Sequence, residues 1–300
     1  MKATTFVAVV MGGALLFAAC GSDTKDTAAP AATAATAGTD KPATAQTAAE
    51  CAKGKTLADG KLVIATGDPA FPPYVIDDKP ESGQGFEAAV GLAVAKSLGF
   101  EGSAVSWIRT SFDGAIAAGA KDFDFNLQQF SINPDRQKIV SFSDPYYIAN
   151  QAVLGYADGP GKDVKSITDL KSLKLGAAAG TTSLQFVTEV IKPDTEPFAF
   201  NSNADAKTAL DNKQIDAIIT DLPTGLFISA VEIEGTKVFG QFPVGAGGAG
   251  DSWGLLFAKD SPLTECANLA LNELTASGDM AKIQDTWMGE YTEAPTLATS

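Results

Sequence analysis

The chain alternates short apolar runs with amphipathic stretches over most of its length. "KLVIATG" (61–67) is an apolar run closed by glycine and predicts a strand. In "GFEAAVGLAVAKSLGF" (85–100), Phe86, Val90, Ala93, Val94 and Leu98 recur near helical spacing, and Gly99 closes the pattern. "SAVSWIRT" (103–110) alternates as a strand, "SFDGAIAAGA" (111–120) predicts a helix capped by Ser111, and "FDFNLQQF" (123–130) alternates again. "IVSFSDPYY" (139–147) begins as a strand and is expected to stop at Asp144-Pro145. The pattern then restarts. Strands are predicted at "SLKLGAAAG" (172–180), "IDAIIT" (215–220), "TKVFGQF" (236–242) and "DSWGLLFAK" (251–259). Helices are predicted at "TTSLQFVTEVI" (181–191), "NADAKTALDNK" (203–213), "LPTGLFISAVEI" (222–233), "SPLTECANLALNELTAS" (261–277) and "DMAKIQDTW" (279–287). This order predicts an α/β fold of β-α-β units with mostly parallel sheets.

Composition changes the picture in two places. A net charge of −14 with no basic run argues against nucleic acid as a partner, because phosphate contacts need clustered lysine and arginine. The absence of histidine removes most histidine-based catalysis and the commonest metal ligand. Neither a cofactor nor a metal is expected.

The first twenty residues are set apart from the fold. Lys2 supplies a positive start, Phe6 to Ala19 form an apolar core, and "LFAAC" ends it with small residues before a cysteine. This resembles a bacterial lipobox with Cys20 as the lipidated residue, although Phe17 stands where that motif usually has leucine. An ordinary secretory signal is the alternative, and either way the mature chain is exported. Residues 21–53 read as an Ala/Thr-rich disordered tether with a reach on the order of 30 Å, holding the domain off a membrane surface. In an exported chain the two remaining cysteines, Cys51 and Cys266, favour a disulfide over two unrelated thiols.

In open α/β sheets, ligands bind beyond the carboxyl ends of strands, so the residues that follow strands carry the candidate chemistry. Asp68 follows the first strand, Arg136 follows "FDFNLQQF", Gly180, Thr181 and Thr182 follow "SLKLGAAA", and Asp221 follows "IDAIIT". Arg136 is one of two arginines in the chain, and its planar fork matches a carboxylate bidentately as lysine cannot. "GTTS" opening a helix offers free N–H groups to an anion. Asp221 suits an ammonium. Taken singly, each has a plain alternative: a surface ion pair for Arg136, ordinary capping for Thr181, and a helix cap for Asp221.

"DPAFPPYVI", "GQGFEAAVGLAVAKSLGF", "SFDGAIAAGAKDFDF", "FSINPDRQKIVSFSDPYY", "AAGTTS", "IDAIITDLP" and "KIQDTWMGEY" together resemble the polar amino acid solute-binding proteins of ABC importers, family 3 of the extracellular binding proteins, over residues 61–291. The resemblance implies a two-lobed periplasmic-binding-protein-like fold of type II with two crossover hinge strands. Lobe 1 would hold residues 54–149 and 249–291, lobe 2 residues 150–248, and 292–300 would be a tail. It implies that Arg136 and Thr182 grip a ligand carboxylate and that Asp221 takes the ammonium. It further implies that Ser131 and the Gln129 carbonyl hold the ligand from lobe 1, and that Phe71 and Phe112 sandwich its side chain. Asp68 would reach the polar end of that side chain. Gln128 and Gln129 stand where many relatives have small residues, and two amides there narrow the pocket or read a polar side chain. Asp68 would repel an acidic ligand, so a neutral polar or cationic amino acid is expected. The implied setting is a monomeric, lipid-anchored binder that delivers to a membrane permease. A sensor for a signalling receptor, or a cyclohexadienyl dehydratase-like enzyme, is the alternative. The glycine-rich "VGAGGAGDS" (244–252) reads equally as hinge, cleft loop or exposed linker.

Overall fold

The computed structural model describes residues 46–242 and 251–299. Cys20, the signal segment and most of the glycine-rich stretch lie outside the described residues. The strands, in chain order, are β1 (Leu62–Gly67), β2 (Val105–Thr110), β3 (Phe125–Asn126), β4 (Ser141–Ala149), β5 (Gln151–Tyr156), β6 (Leu175–Ala178), β7 (Phe198–Phe200), β8 (Ala217–Asp221), β9 (Thr236–Phe242) and β10 (Asp251–Phe257). The helices are α1 (Ala48–Ala52), α2 (Phe86–Ser97), α3 (Phe112–Ile116), α4 (Pro134–Gln137), α5 (Ile167–Leu170), α6 (Thr182–Gln185), α7 (Asn203–Asp211), α8 (Leu222–Phe227), α9 (Thr264–Ser277) and α10 (Asp279–Met288). π-helical turns at Phe186–Ile191 and Ile228–Glu232 prolong α6 and α8. No helix among the described residues is long and apolar enough to cross a membrane.

Two five-stranded sheets form the two lobes of a type II periplasmic-binding fold, in the orders β2-β1-β3-β10-β4 and β7-β6-β8-β5-β9. The chain leaves the first sheet after β4, enters the second at β5, and returns at β10. This corrects the expectation of mostly parallel sheets. β1 pairs in parallel with β2 and β3, and β6 with β7 and β8. The strands that follow the crossings run the other way: β10 is antiparallel to β3 and β4, and β5 to β8 and β9. A strand that follows a crossing without an intervening helix enters its sheet against the β-α-β direction.

Other boundaries shift for local reasons. β4 runs through Asp144-Pro145 instead of stopping there, because β4 is an edge strand and tolerates a missing donor. Its register against β10 slips on both sides of Gly254, which faces Pro145. "FDFNLQQF" contributes only two ladder residues, and Gln129 turns out of the strand with φ +50°. The helix capped by Ser111 ends at Ile116. The tether ends sooner than expected, because residues 48–52 form α1. Thr47 and Glu50 build a capping box there, Ala48 is fully buried, and Cys51 is bonded to Cys266 of α9. The tail is not loose either. Leu297 is buried in the lobe 2 core, and residues 294–298 run beside β9.

Candidate functional site

The strand-end residues converge on one cavity of about 170 Å³ between the lobes. Asp68, Phe71, Phe112, Gln128, Gln129, Ser131 and Arg136 line it from lobe 1, and Thr181, Thr182 and Asp221 from lobe 2. Wider hollows of about 520 and 480 Å³ lie elsewhere on the surface, lined by none of these residues.

Arg136 sits in α4, whose start is set by Asn133 accepting from the Arg136 backbone N–H at 2.9 Å. The residue is 6% exposed. Nη1 donates to the Ser131 carbonyl at 2.8 Å, and Nη2 reaches across the cleft to the Gly180 carbonyl at 2.9 Å. It also lies 5.3 Å over the Phe112 ring, which stacks on Phe130. Burial lowers its pKa, while Asp251, Asp221 and Asp113 act to raise it. The surface ion pair weighed from the sequence belongs instead to Arg109. That residue bonds Asp78 at 2.6 Å and donates to the Gly67 carbonyl at 3.0 Å, bracing the loop that carries Asp68 and Phe71.

On the opposite wall, Thr181 is the cap of α6. Its hydroxyl accepts from the Leu184 N–H at 3.2 Å and donates to the Ala178 carbonyl. Thr182 instead turns its hydroxyl to Ser131 of the other lobe, 3.2 Å away. Gly180, just before them, has φ +70°, a backbone conformation that favours glycine. Asp221 precedes α8 but its side chain makes no cap bond. It accepts from Gln151 Nε2 at 2.9 Å. Burial and the neighbouring Asp251 push its pKa well above the usual carboxylate range, against the bond from Gln151 and the field of Arg136. Half-buried Gln128 carries an Oε1 atom that is itself buried and lacks a hydrogen-bond partner, although its residue lines the cavity.

Two contributions escaped the sequence reading. Asn201, Ser202 and Asn203 line the cavity beyond β7, a strand whose three residues gave too little pattern to read. Had β7 been recognised, the strand-end rule would have pointed to them. Glu87, buried on α2, accepts from the backbone N–H and side-chain amide of Gln129 and from the Tyr146 hydroxyl, and so holds Gln129 in its left-handed turn. No glutamate is among the described residues lining the cavity.

The sequence profile of the bacterial extracellular solute-binding proteins, family 3, matches residues 62–290. The arginine-binding extracellular protein of Bacillus subtilis (strain 168) is 28% identical over 211 residues, covering 68% of this chain and 77% of that protein. The glutamine-binding protein of an ABC transporter of the same organism is 30% identical over 216 residues, covering 70% and 76%. Among solved structures, an ancestral arginine-binding protein bound to arginine is 32% identical with a TM-score of 0.64, covering 77% of this chain and 99% of the other. The same ancestral type bound to glutamine is 32% identical with a TM-score of 0.65 and the same coverage.

Proposed function

The chain belongs to the bacterial extracellular solute-binding proteins of family 3, and from that premise we propose that it captures a free amino acid, with a cationic side chain preferred, for an ABC importer. The observation that carries the reading is the cavity itself, with Arg136 on one wall and Asp221 on the other. A zwitterion needs both. Arg136 and Thr182 take the ligand carboxylate, which displaces the guanidinium from the Gly180 carbonyl. Asp221, Ser131 and the Gln129 carbonyl take the ammonium. Phe71 and Phe112 cover the aliphatic stem, and Asp68 with the unpartnered Gln128 Oε1 receives its charged end. The preference for a cation is supported by the acidic surplus around the cavity and by relatives named for arginine. A neutral polar side chain such as glutamine fits the same acceptors less strongly.

The ligand docks on lobe 1 first, and lobe 2 closes over it, since contacts made only in the closed form shift the population toward closure. The chain works outside the cytoplasm, held near the membrane through Cys20, as a monomer that presents its closed form to a permease.

The test is a thermal-shift screen over the twenty amino acids with cystine and ornithine, followed by calorimetry. A true ligand at 100 times its Kd adds about 2.7 kcal/mol to stability. Arg136→Ala should then lose roughly 2–5 kcal/mol of binding, about 30-fold to several thousand-fold. Unchanged affinity in that variant rules out its role.

A further inference from the structure

Behind Asp221 lies a second carboxylate to which the reading above gives no role. Asp251 is 5% exposed and opens β10, directly after the return crossing. Gln151 opens β5, directly after the outward crossing, and is paired with Asp221 across the ladder. Its single amide nitrogen donates to Asp221 Oδ1 at 2.9 Å and also to Asp251 Oδ2. The amide oxygen of Gln151 is buried without a partner. Two carboxylates thus share the two hydrogens of one neutral nitrogen, and neither forms an ion pair among the described residues. The groups that act on Asp221 are Asp251 and Glu87, both acidic, and the guanidinium of Arg136. Asp221 in turn acts on the phenols of Tyr74, Tyr146 and Tyr147. Three carboxylates therefore face one cation, and that cation is committed to a ligand carboxylate.

We propose that Asp251 is a positioning residue that acts through Asp221: bridged to it by Gln151, it makes an acidic pair that calls for a fully charged ammonium and ties the arrival of that charge to the strands that follow both crossings. The proposal rests on the reading that Asp221 receives the ammonium. In the ligand-free closed form the pair relieves its repulsion by keeping a proton on Asp221. When the ammonium arrives, that proton leaves to solvent and the ligand's charge replaces it. Binding therefore releases a proton and strengthens as pH rises through the Asp221 midpoint. Without Asp251, Asp221 ionises at lower pH, and both effects weaken.

Asp251→Asn removes the charge and keeps the shape, since an asparagine oxygen still accepts from Gln151. With 13C-labelled aspartate carboxyl groups, and Asp221 assigned from Asp221→Asn, the ligand-free protein is titrated by NMR. The Asp221 midpoint should fall by about one pH unit in Asp251→Asn; an unchanged midpoint overturns the proposal. L-Arginine is then titrated by calorimetry in buffers of different ionisation enthalpy, with Glu87→Gln as the control for the other buried carboxyl. Below the Asp221 midpoint wild type should release a proton and Asp251→Asn less; above that midpoint Asp251→Asn should bind about tenfold more weakly, with a flatter pH profile throughout. Binding abolished in Asp221→Asn but unchanged in Asp251→Asn, in affinity and release, overturns this inference alone. Binding that Asp221→Asn leaves intact, or no binding of any amino acid in the screen, overturns the parent reading and this inference with it.

Discussion

Glu87 lies on the inward face of α2, where the helical pattern leads one to expect only apolar side chains. Burial is the largest influence on its carboxyl and raises the pKa from 4.5 to about 7, against the bonds from Tyr146 and Gln129. The folded chain therefore holds a proton that the unfolded chain has lost. The stability this proton confers is complete below pH about 4.5 and disappears as pH rises through 7. Glu87→Gln should gain on wild type by on the order of 3 kcal/mol between those limits. Urea unfolding at a series of pH values measures this, and parallel curves for the two proteins would refute it. The sequence did not reveal Glu87, because an acid in the first turn of a helix reads as a partner for the helix dipole. Arg136 and Asp221 were legible because each follows a strand and the family resemblance implies a ligand contact for both; singly, each also had a plain structural use. Thr181 shows the limit of that rule, since its hydroxyl went to capping while Thr182 faces the other lobe.

At the level of elements, the long periodic stretches were read correctly in kind, and β3 fell inside a predicted strand, whereas β5 and β7 were not predicted. β5 is an apolar run without alternation, and β7 has three residues, too few to establish a period. The course of residues 294–298 was equally hidden, because five residues with one leucine carry no pattern. In the fold, Gln241 of β9 gathers four hydrogen bonds from outside its strand. Its backbone donates to the Pro295 carbonyl and accepts from Leu297 N–H, Nε2 donates to the Ala294 carbonyl, and Oε1 accepts from Asn150 in the first crossing. Gly240 beside it has no room for a Cβ, which would stand 2.5 Å from Leu297. Leu297→Ala should cost about 2 kcal/mol or more of stability. A chemical-denaturation loss below about 0.5 kcal/mol would show that the strap is not anchored by this side chain.

Across the whole molecule, several polar bonds among the described residues join the lobes, the Gln151 amide to Asp251 among them. Arg136 reaches Gly180, Ser131 reaches Thr182, and the Tyr74 hydroxyl meets Thr224 at 2.8 Å, with both of the last two residues buried. The Tyr74 bond exists only with the lobes together. Tyr74→Phe should therefore favour the open form, enlarge the ligand-free radius of gyration in small-angle scattering, and weaken ligand binding roughly fivefold, the equivalent of about 1 kcal/mol. Identical scattering and affinity would place that bond outside the closing motion. The two lobes themselves could be foreseen from the family resemblance, whereas the mixed strand directions could not, because periodicity reports the faces of a strand but not its orientation. The cross-link between Cys51 and Cys266 gives the N-terminal end of the fold an unusual mechanical standing. Tension arriving through residue 46 meets α1, passes by a covalent route into α9, and is borne by the first sheet and its helices alone. That load never traverses the crossings, so the second sheet carries none of a pull applied to the N-terminal end of the fold.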